Sequence, residues 1–330
     1  MSNIKDVAAL AGVSVPTVYK VFSNNQYASP AVEEKVLKAA RELGYVHKAA
    51  QKASVTNPEK TVAVIVDDIT NPFYGSMINE IRKGLHRYGH HLITISNAES
   101  REQERSDIEA LMKSGMDALI FIPALGEKQE IVCRLAAQRF PLLQLFRPLY
   151  QDVDTLLIDD ELGAYLAVKH LLQSGHRKIM LITRSNPILV KREEGYARAY
   201  QEAGIPVDQD CICLMTYIDN IKDMLKSRIR DVNPTAILSV GERLSVNVVQ
   251  ALREMNLAVP EDMSLIVYDD LAWTAAFDIT AVSHSFEAIG NLASELIVGR
   301  LKEVETGECQ PTARLVLDPK LVSRNSVKIL

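Results

Sequence analysis

Apolar positions in the first fifty residues recur at helical spacing and are broken twice by turn residues. Val7, Ala8 and Ala11 share one face, with Asn3 as N-cap and Asp6 three residues on, which predicts a helix over Ile4 to Ala11. Gly12 ends it. Ser14 caps a second helix, where Pro16 fits the first turn because its missing N–H has no intrahelical acceptor there. Val18, Val21 and Phe22 point inward in that helix, whereas Val15, Pro16, Tyr19 and Lys20 share the opposite face. Ser29-Pro30 opens a third helix with Glu33 and Glu34 near its positive end. Val32, Val36, Ala39, Ala40 and Leu43 face its core and Gly44 closes it.

From Thr61 the period changes to short apolar runs alternating with amphipathic stretches. Strands are predicted at Thr61 to Val66, Leu92 to Ser96, Ala118 to Pro123 and Leu142 to Phe146, with helices at Phe73 to Gly89, Glu102 to Ser114 and Lys128 to Arg139 between them. A second series follows Leu156-Leu157-Ile158, with strands at Lys178 to Thr183, Cys211 to Met215, Ala236 to Val240 and Ser264 to Tyr268. Its helices are Gly163 to Ser174, Glu193 to Ala203, Ile221 to Asp231 and Ser245 to Met255. Such alternation implies a parallel, doubly wound sheet, and two series imply two lobes with a cleft between them. Open parallel sheets bind ligands beyond the carboxyl ends of their strands. That rule selects Asp68 to Tyr74, Phe146-Arg147, Gly241-Glu242-Arg243 and Asp269-Asp270. A carboxylate accepts hydroxyls, a guanidinium offers a fork of donors, and an aromatic face packs on a sugar ring. Phe73, Tyr74, Arg147, Arg192, Tyr217, Glu242 and Asp269 are therefore the candidate pocket residues. Each has a plainer reading: Asp269 as a helix cap, Arg192 paired with Glu161 or another acid, Phe73 or Tyr74 as core.

Charge is unevenly distributed. The chain holds 37 basic and 42 acidic side chains; residues 1 to 60 carry eight Lys/Arg and five Asp/Glu, net +3, which leaves 29 against 37, net −8, for the remainder. A basic unit of helix, tight turn, helix, helix is the helix-turn-helix plan for reading DNA, and at +3 two copies on one duplex are expected. At 330 residues, two or three domains are expected. Cys133, Cys211, Cys213 and Cys309 have no metal-ligand spacing and read as reduced thiols, with Cys211 and Cys213 on one strand face. No apolar leader or membrane-length run occurs, which points to the cytoplasm, at the nucleoid, and away from membranes. There is no P-loop, no nucleophile elbow and no His/Cys cluster, so no catalytic residue, metal or cofactor is expected. His176 reads as a solvated or backbone-bonded turn residue.

The strings Ile4-Lys5-Asp6-Val7-Ala8, Ala11-Gly12-Val13-Ser14, Thr17-Val18 and Glu42-Leu43-Gly44-Tyr45 resemble the headpiece of the LacI/GalR family of bacterial transcription regulators. Asp68 to Tyr74, Leu171 to Ile179, Arg192 to Tyr196, Pro234-Thr235-Ala236-Ile237, Val259-Pro260-Glu261-Asp262 and Tyr268-Asp269-Asp270 resemble its effector-binding core, so the likeness runs along essentially the whole chain. It implies a DNA-binding headpiece over 1–46, a hinge over 47–60, and a periplasmic-binding-protein-like core of doubly wound parallel sheets over 61–330. The N-lobe is expected at about 61–157 and 287–317, and the C-lobe at about 158–286 and 318–330. The implied function is that of an allosteric repressor, a homodimer on a pseudo-palindromic operator, controlled by a carbohydrate-like effector. The DNA-binding set is Ser14, Val15, Pro16, Thr17, Tyr19, Lys20, Asn24, Ser29, Lys48, Lys52 and Ser54. The dimer follows from the absence of a further heptad-bearing helix after Asp318-Pro319. A sugar-binding receptor, or a sugar-converting enzyme on the same two-lobe fold, is the alternative.

Three positions depart from the family pattern. Gly241-Glu242 stands where relatives carry Asn-Asp, and Phe146 beside Arg147 stands where many have an acid. With Arg147 and Arg192 retained, an anionic effector such as a sugar acid or phosphosugar is the expectation. Ser54 replaces the hinge leucine that wedges between base pairs; serine is too small and polar to hold a step unstacked, which implies weaker operator bending.

Overall fold

The computed structural model describes residues 4–22, 32, 35, 36, 38–40, 59–184, 190–215 and 221–330, with the side chains of Ile4, Lys5, Tyr19, Lys20 and Phe22 outside that description. They fall into two units, Met1–Glu59 and Lys60–Leu330.

In the first unit the helices Ile4–Ala11 and Val15–Phe22 form as the periodicity requires. Gly12 takes φ +68, a conformation glycine adopts without a Cβ penalty, and the Val13 N–H bonds the Ala8 carbonyl at 3.0 Å to close the turn. Ser14 caps the second helix, its Oγ accepting from the Thr17 N–H at 3.3 Å. Val7, Ala8, Val18, Val36, Ala39 and Ala40 form a small buried core. Asn3, Ser29-Pro30, Leu43 and Gly44 lie outside the described residues.

The second unit contains two six-stranded sheets. The first runs β11-β5-β4-β3-β1-β2 and is parallel throughout. Its strands are β1 (Thr61–Val66), β2 (His91–Ser96), β3 (Ala118–Phe121), β4 (Leu142–Leu145), β5 (Asp154–Ile158) and β11 (Arg314–Leu317). The second runs β12-β10-β9-β8-β6-β7, with β6 (Ile179–Arg184), β7 (Ile212–Met215), β8 (Ala236–Ser239), β9 (Ser264–Tyr268), β10 (Thr280–Ser283) and antiparallel β12 (Lys320–Val322) at its edge. Each sheet is buried on both faces, which is why β1, β3, β8 and β9 read as apolar runs without alternation. The helix Phe286–Thr306 packs on the first sheet, so the chain crosses between lobes three times, near residues 159, 284–285 and 318–319.

Boundaries shift by up to three residues from the periodicity. The helix expected from Ser245 begins at Glu242, because Gly241 at φ +101 turns the chain directly out of β8. Cys211 ends a 3-10 turn (Gln209–Cys211) instead of sharing the strand with Cys213, though both thiols are buried. His176 is also buried, its Nδ1 2.9 Å from the Thr235 hydroxyl, so of the solvated and bonded alternatives for this turn residue the structure has the bonded one, with a side-chain hydroxyl as a partner. Among the described residues no helix is long and apolar enough to cross a membrane.

The helices Pro72–His86 and Phe286–Thr306 approach so closely that a Cβ at Gly290 would lie 2.5 Å from the Cβ of Glu80 and 2.6 Å from its carbonyl carbon. Gly299 in the same helix has open space around it. Gly290→Ala should therefore destabilise by about 1–3 kcal/mol through forced backbone movement, while Gly299→Ala gains up to about 1 kcal/mol of helix propensity. Urea unfolding of both variants checks the contrast; equal midpoints would mean that the contact yields without cost.

Candidate functional site

The carboxyl ends of the strands in the two sheets line a cavity of about 470 Å³. The first lobe contributes Asp67 and Asp68 after β1, Ser96, Ala98 and Glu99 around the end of β2, and Phe146-Arg147 after β4. The second contributes Asp160 after β5, Arg184 at the end of β6, Gly241 to Leu244 after β8, Asp269 after β9 and His284 after β10. Asn71 caps the helix Pro72–His86, its Oδ1 accepting from the Phe73 N–H at 2.9 Å, and thereby sets Phe73 and Tyr74 in the first turn at the cavity wall. Arg192 reaches the cavity from the helix Val190–Glu202.

Phe73, Tyr74, Arg147, Arg192, Glu242 and Asp269 thus converge as the strand-end rule implied, and Tyr217 lies outside the described residues. Phe73 is both wall and core: it is buried, with Tyr74, Phe146, Phe286 and His284 around it at ring separations of 5.4–6.0 Å. Asp269 caps no helix, since Leu271 holds that position; its carboxylate is 3.3 Å from His284 Nε2 and its backbone is left-handed at φ +72. Asp270 is not among the cavity residues and binds Arg324 at 2.8 Å.

The two arginines that suggested an anionic ligand are both occupied. Arg192 pairs with Asp160 at 2.9 Å, not Glu161, and lies 4.9 Å above the Tyr268 ring. Arg147 donates to Asp67 at 2.7 Å, Glu99 at 2.9 Å and the Pro123 carbonyl at 2.9 Å. Among the described residues the cavity lining holds six carboxylates (Asp67, Asp68, Glu99, Asp160, Glu242, Asp269) against four guanidinium groups (Arg147, Arg184, Arg192, Arg243), a balance that disfavours a further anion. The sequence reading passed over Asp67, Glu99, Asp160, Arg184 and His284. All lie at or just past strand ends, and extending the same rule to β2, β5, β6 and β10 finds four of them.

Burial dominates the proton chemistry. It pushes the Asp67 carboxyl up to about 6, with Arg147 opposing and Glu99 reinforcing the rise, and Asp67 Oδ1 has no hydrogen-bond partner. Burial also acts to raise Glu99, but the bonds from Arg184 and the charges of both arginines outweigh it and hold that carboxyl at about 2. Glu242 is raised by burial first and by the neighbouring Asp269 second.

In the first unit Pro16 and Ser14 are exposed, as an outward face needs. Val15 is half-buried against the small core, so it serves packing at least in part. Thr17 is engaged with the Ser14 hydroxyl at 2.8 Å. Tyr19 and Lys20 lie on the second helix, and Asn24, Ser29, Lys48, Lys52 and Ser54 lie outside the described residues.

Residues 3–48 match the family model of bacterial regulatory proteins of the lacI family, and residues 168–327 match the periplasmic binding protein-like domain. The chain belongs to the LacI family. Its relatives include the HTH-type transcriptional repressor PurR of Vibrio atlanticus, 28% identical with all of both chains covered, and PurR of Haemophilus influenzae strain Rd, 28% identical over 99% of each. Among solved structures, the transcriptional regulator CelR in complex with cellobiose matches 99% of this chain and 100% of its own, with TM-score 0.70 and 26% identity. The LacI-family regulator of Silicibacter pomeroyi shares the fold, with TM-score 0.79 over 99% and 100% of the two chains at 19% identity. These relatives are regulators and not enzymes, so this LacI-family chain is a DNA-binding transcriptional repressor, and the receptor and enzyme alternatives fall away.

The raised Asp67 carboxyl has a stability consequence. The folded state holds this proton more tightly than the unfolded chain, so the contribution of Asp67 is most favourable below its ordinary value of 3.8 and declines as pH rises to about 6. Asp67→Asn should flatten that decline across this window. Thermal melts of both proteins at several pH values test it, and parallel curves would place the Asp67 carboxyl at its ordinary value.

Proposed function

We propose that this repressor works as a homodimer on a pseudo-palindromic operator in the cytoplasm, and that the interlobe cavity binds a neutral, carbohydrate-like effector that alters operator affinity. One observation carries the effector reading: acceptor carboxylates on both lobes surround a cavity of about 470 Å³ whose wall includes Phe73. Hydroxyl groups can donate to Asp269, Glu242 and Asp68, and a sugar ring can lie against an aromatic wall. The likeness to a regulator solved with cellobiose supports a sugar. A neutral polyol is favoured over a sugar acid or phosphosugar because Arg147 and Arg192 already carry their own carboxylates. The proposed domains are the headpiece at 1–46, the hinge at 47–60 and the two-lobed core beyond. Two-fold symmetry then demands matching half-sites. The effector acts by binding one arrangement of the lobes better than another.

On the DNA side, Ser14, Pro16, Thr17, Tyr19 and Lys20 are the proposed contacts of the second helix, with Asn24, Ser29, Lys48, Lys52 and Ser54 completing the set. Lys20→Ala should weaken operator binding. A base contact is worth about 1–3 kcal/mol and relaxes preference at one position, whereas a phosphate contact weakens all sequences alike and flattens the salt slope. Gel shifts at several salt concentrations tell these apart, and unchanged affinity and slope mean that Lys20 is only solvated. With Ser54 in place of a wedge, circular-permutation gel shifts should show little bend at the operator centre; a strong central kink overturns that hinge assignment.

On the effector side, Asp269→Asn should keep operator affinity and lose the response to ligand. Asp269 is the better probe than Arg192, because removing Arg192 strands the half-buried carboxylate of Asp160 and confuses folding with binding. The chain has a single tryptophan, Trp273, four residues beyond Asp269, so its fluorescence can report a titration with a panel of neutral mono- and disaccharides. Identical titrations for wild type and Asp269→Asn would remove Asp269 from the site.

A further inference from the structure

The network around Arg147 contains a carboxylate in an unusual place. Glu99 is supplied by a tight turn after β2 in which two successive non-glycine residues, Ala98 (φ +51) and Glu99 (φ +59), are left-handed, a conformation with a steric cost for side chains. The turn is held by its own bonds: the Asn97 N–H to the Val66 carbonyl at 3.0 Å, the Ala98 N–H to the Asp67 carbonyl at 2.9 Å, and the Glu99 N–H to Asn97 Oδ1 at 3.0 Å. Both oxygens of the carboxylate so delivered are taken by arginines from different lobes. Arg184 of the second lobe donates from Nη1 to Oε1 at 3.1 Å and from Nη2 to Oε2 at 2.7 Å, while Arg147 of the first lobe donates from Nη2 to Oε1 at 2.9 Å. This two-pronged fork is how arginine grips a free carboxylate or phosphate.

We propose that Arg147 and Arg184 form an anion site shared between the lobes, and that Glu99 is its built-in occupant, which makes Glu99 the residue that excludes anionic ligands from the cavity. The site's chemistry is that of a small carboxylate or phosphate. Filled from within, it presents no attraction to sugar acids or phosphosugars, and it ties the lobes through a charge pair that a neutral ligand does not disturb. This rests on the neutral-effector reading above and names the residue responsible for it. Removing the Glu99 carboxylate leaves Arg184 without that partner, while Arg147 keeps Asp67. An external anion then replaces what was removed.

The variant of choice is Glu99→Gly, because glycine accepts the φ of +59 without strain and the turn's own bonds remain. Its melting temperature should rise with added formate or inorganic phosphate at constant ionic strength set by chloride, and its phosphate affinity, followed through Trp273 fluorescence, should exceed that of wild type by about tenfold or more, the worth of one or two charge-assisted bonds. Wild type should stay flat, and so should Glu99→Gly combined with Arg184→Gln. If Glu99→Gly does not fold, Glu99→Ala is put through the same titrations. A response no greater than wild type in the variant that folds, or an equal response in the double variant, overturns the proposal. The probes are free of sugar, so the two readings fail separately: anion rescue without saccharide binding removes the carbohydrate effector alone, and saccharide binding without anion rescue removes the built-in occupant alone.

Discussion

In a parallel sheet with right-handed crossovers, every strand ends on the same edge, and every return helix starts there. The whole functional half of this molecule depends on that constraint. Two such sheets joined by three crossings bring their carboxyl edges to one cavity, and residues as distant in sequence as Asp67, Arg184, Asp269 and His284 meet without any local signal linking them. Helix starts at the same edges add to it: Asn71 fixes Phe73 and Tyr74, and Gly241 turns Glu242 back toward the cavity.

Concentrating strand ends also concentrates charge, and charge away from water must be compensated. The cavity resolves this by pairing within itself. Arg192 is held between Asp160 and the Tyr268 ring, and Arg147 is shared by Asp67 and Glu99. The division is unequal. Glu99 gains two guanidinium partners and stays ionised, while Asp67 sits deeper, competes for one of them, and has its carboxyl pushed up toward neutrality. Arg147 favours the ionised form of both carboxylates; the deeper burial of Asp67 and the second guanidinium on Glu99, that of Arg184, drive their proton affinities apart.

Much of this was legible in the sequence. The apolar runs of β1, β3, β8 and β9 name a buried parallel sheet, and the residues after β1, β4, β8 and β9 name a large part of the cavity. What failed was pairing. An arginine at a strand end looks like a ligand contact whether or not a carboxylate eighty residues away already holds it, and the anionic-ligand expectation, built on Arg147 and Arg192, arose from blindness to Asp67, Glu99 and Asp160. The strand-end rule reaches Glu99 once it is extended to β2, but the turn that aims its carboxylate gave no sign, because Ala98-Glu99 contains neither glycine nor asparagine to mark a left-handed conformation. The alternatives for His176, and the outward placing of Val15, depended on the same kind of information: burial of a turn residue, or of a residue at the margin of a helix face, is decided by neighbours distant in the chain.

For regulation, the arrangement of charges matters more than their number. A ligand shifts the relation between two lobes only by as much as its affinities for their arrangements differ. A ligand that contacted one lobe alone would bind and change nothing. Here the acceptor groups are divided, with Asp68 after β1 and Asp269 and Glu242 after β9 and β8, so a polyol spanning them is held best when the strand ends are near each other. The Glu99–Arg184 pair favours the same nearness with no ligand present. On the proposed mechanism ligand and ion pair work on one coordinate, and the pair's strength would set how much of the lobe approach is left for the effector to supply.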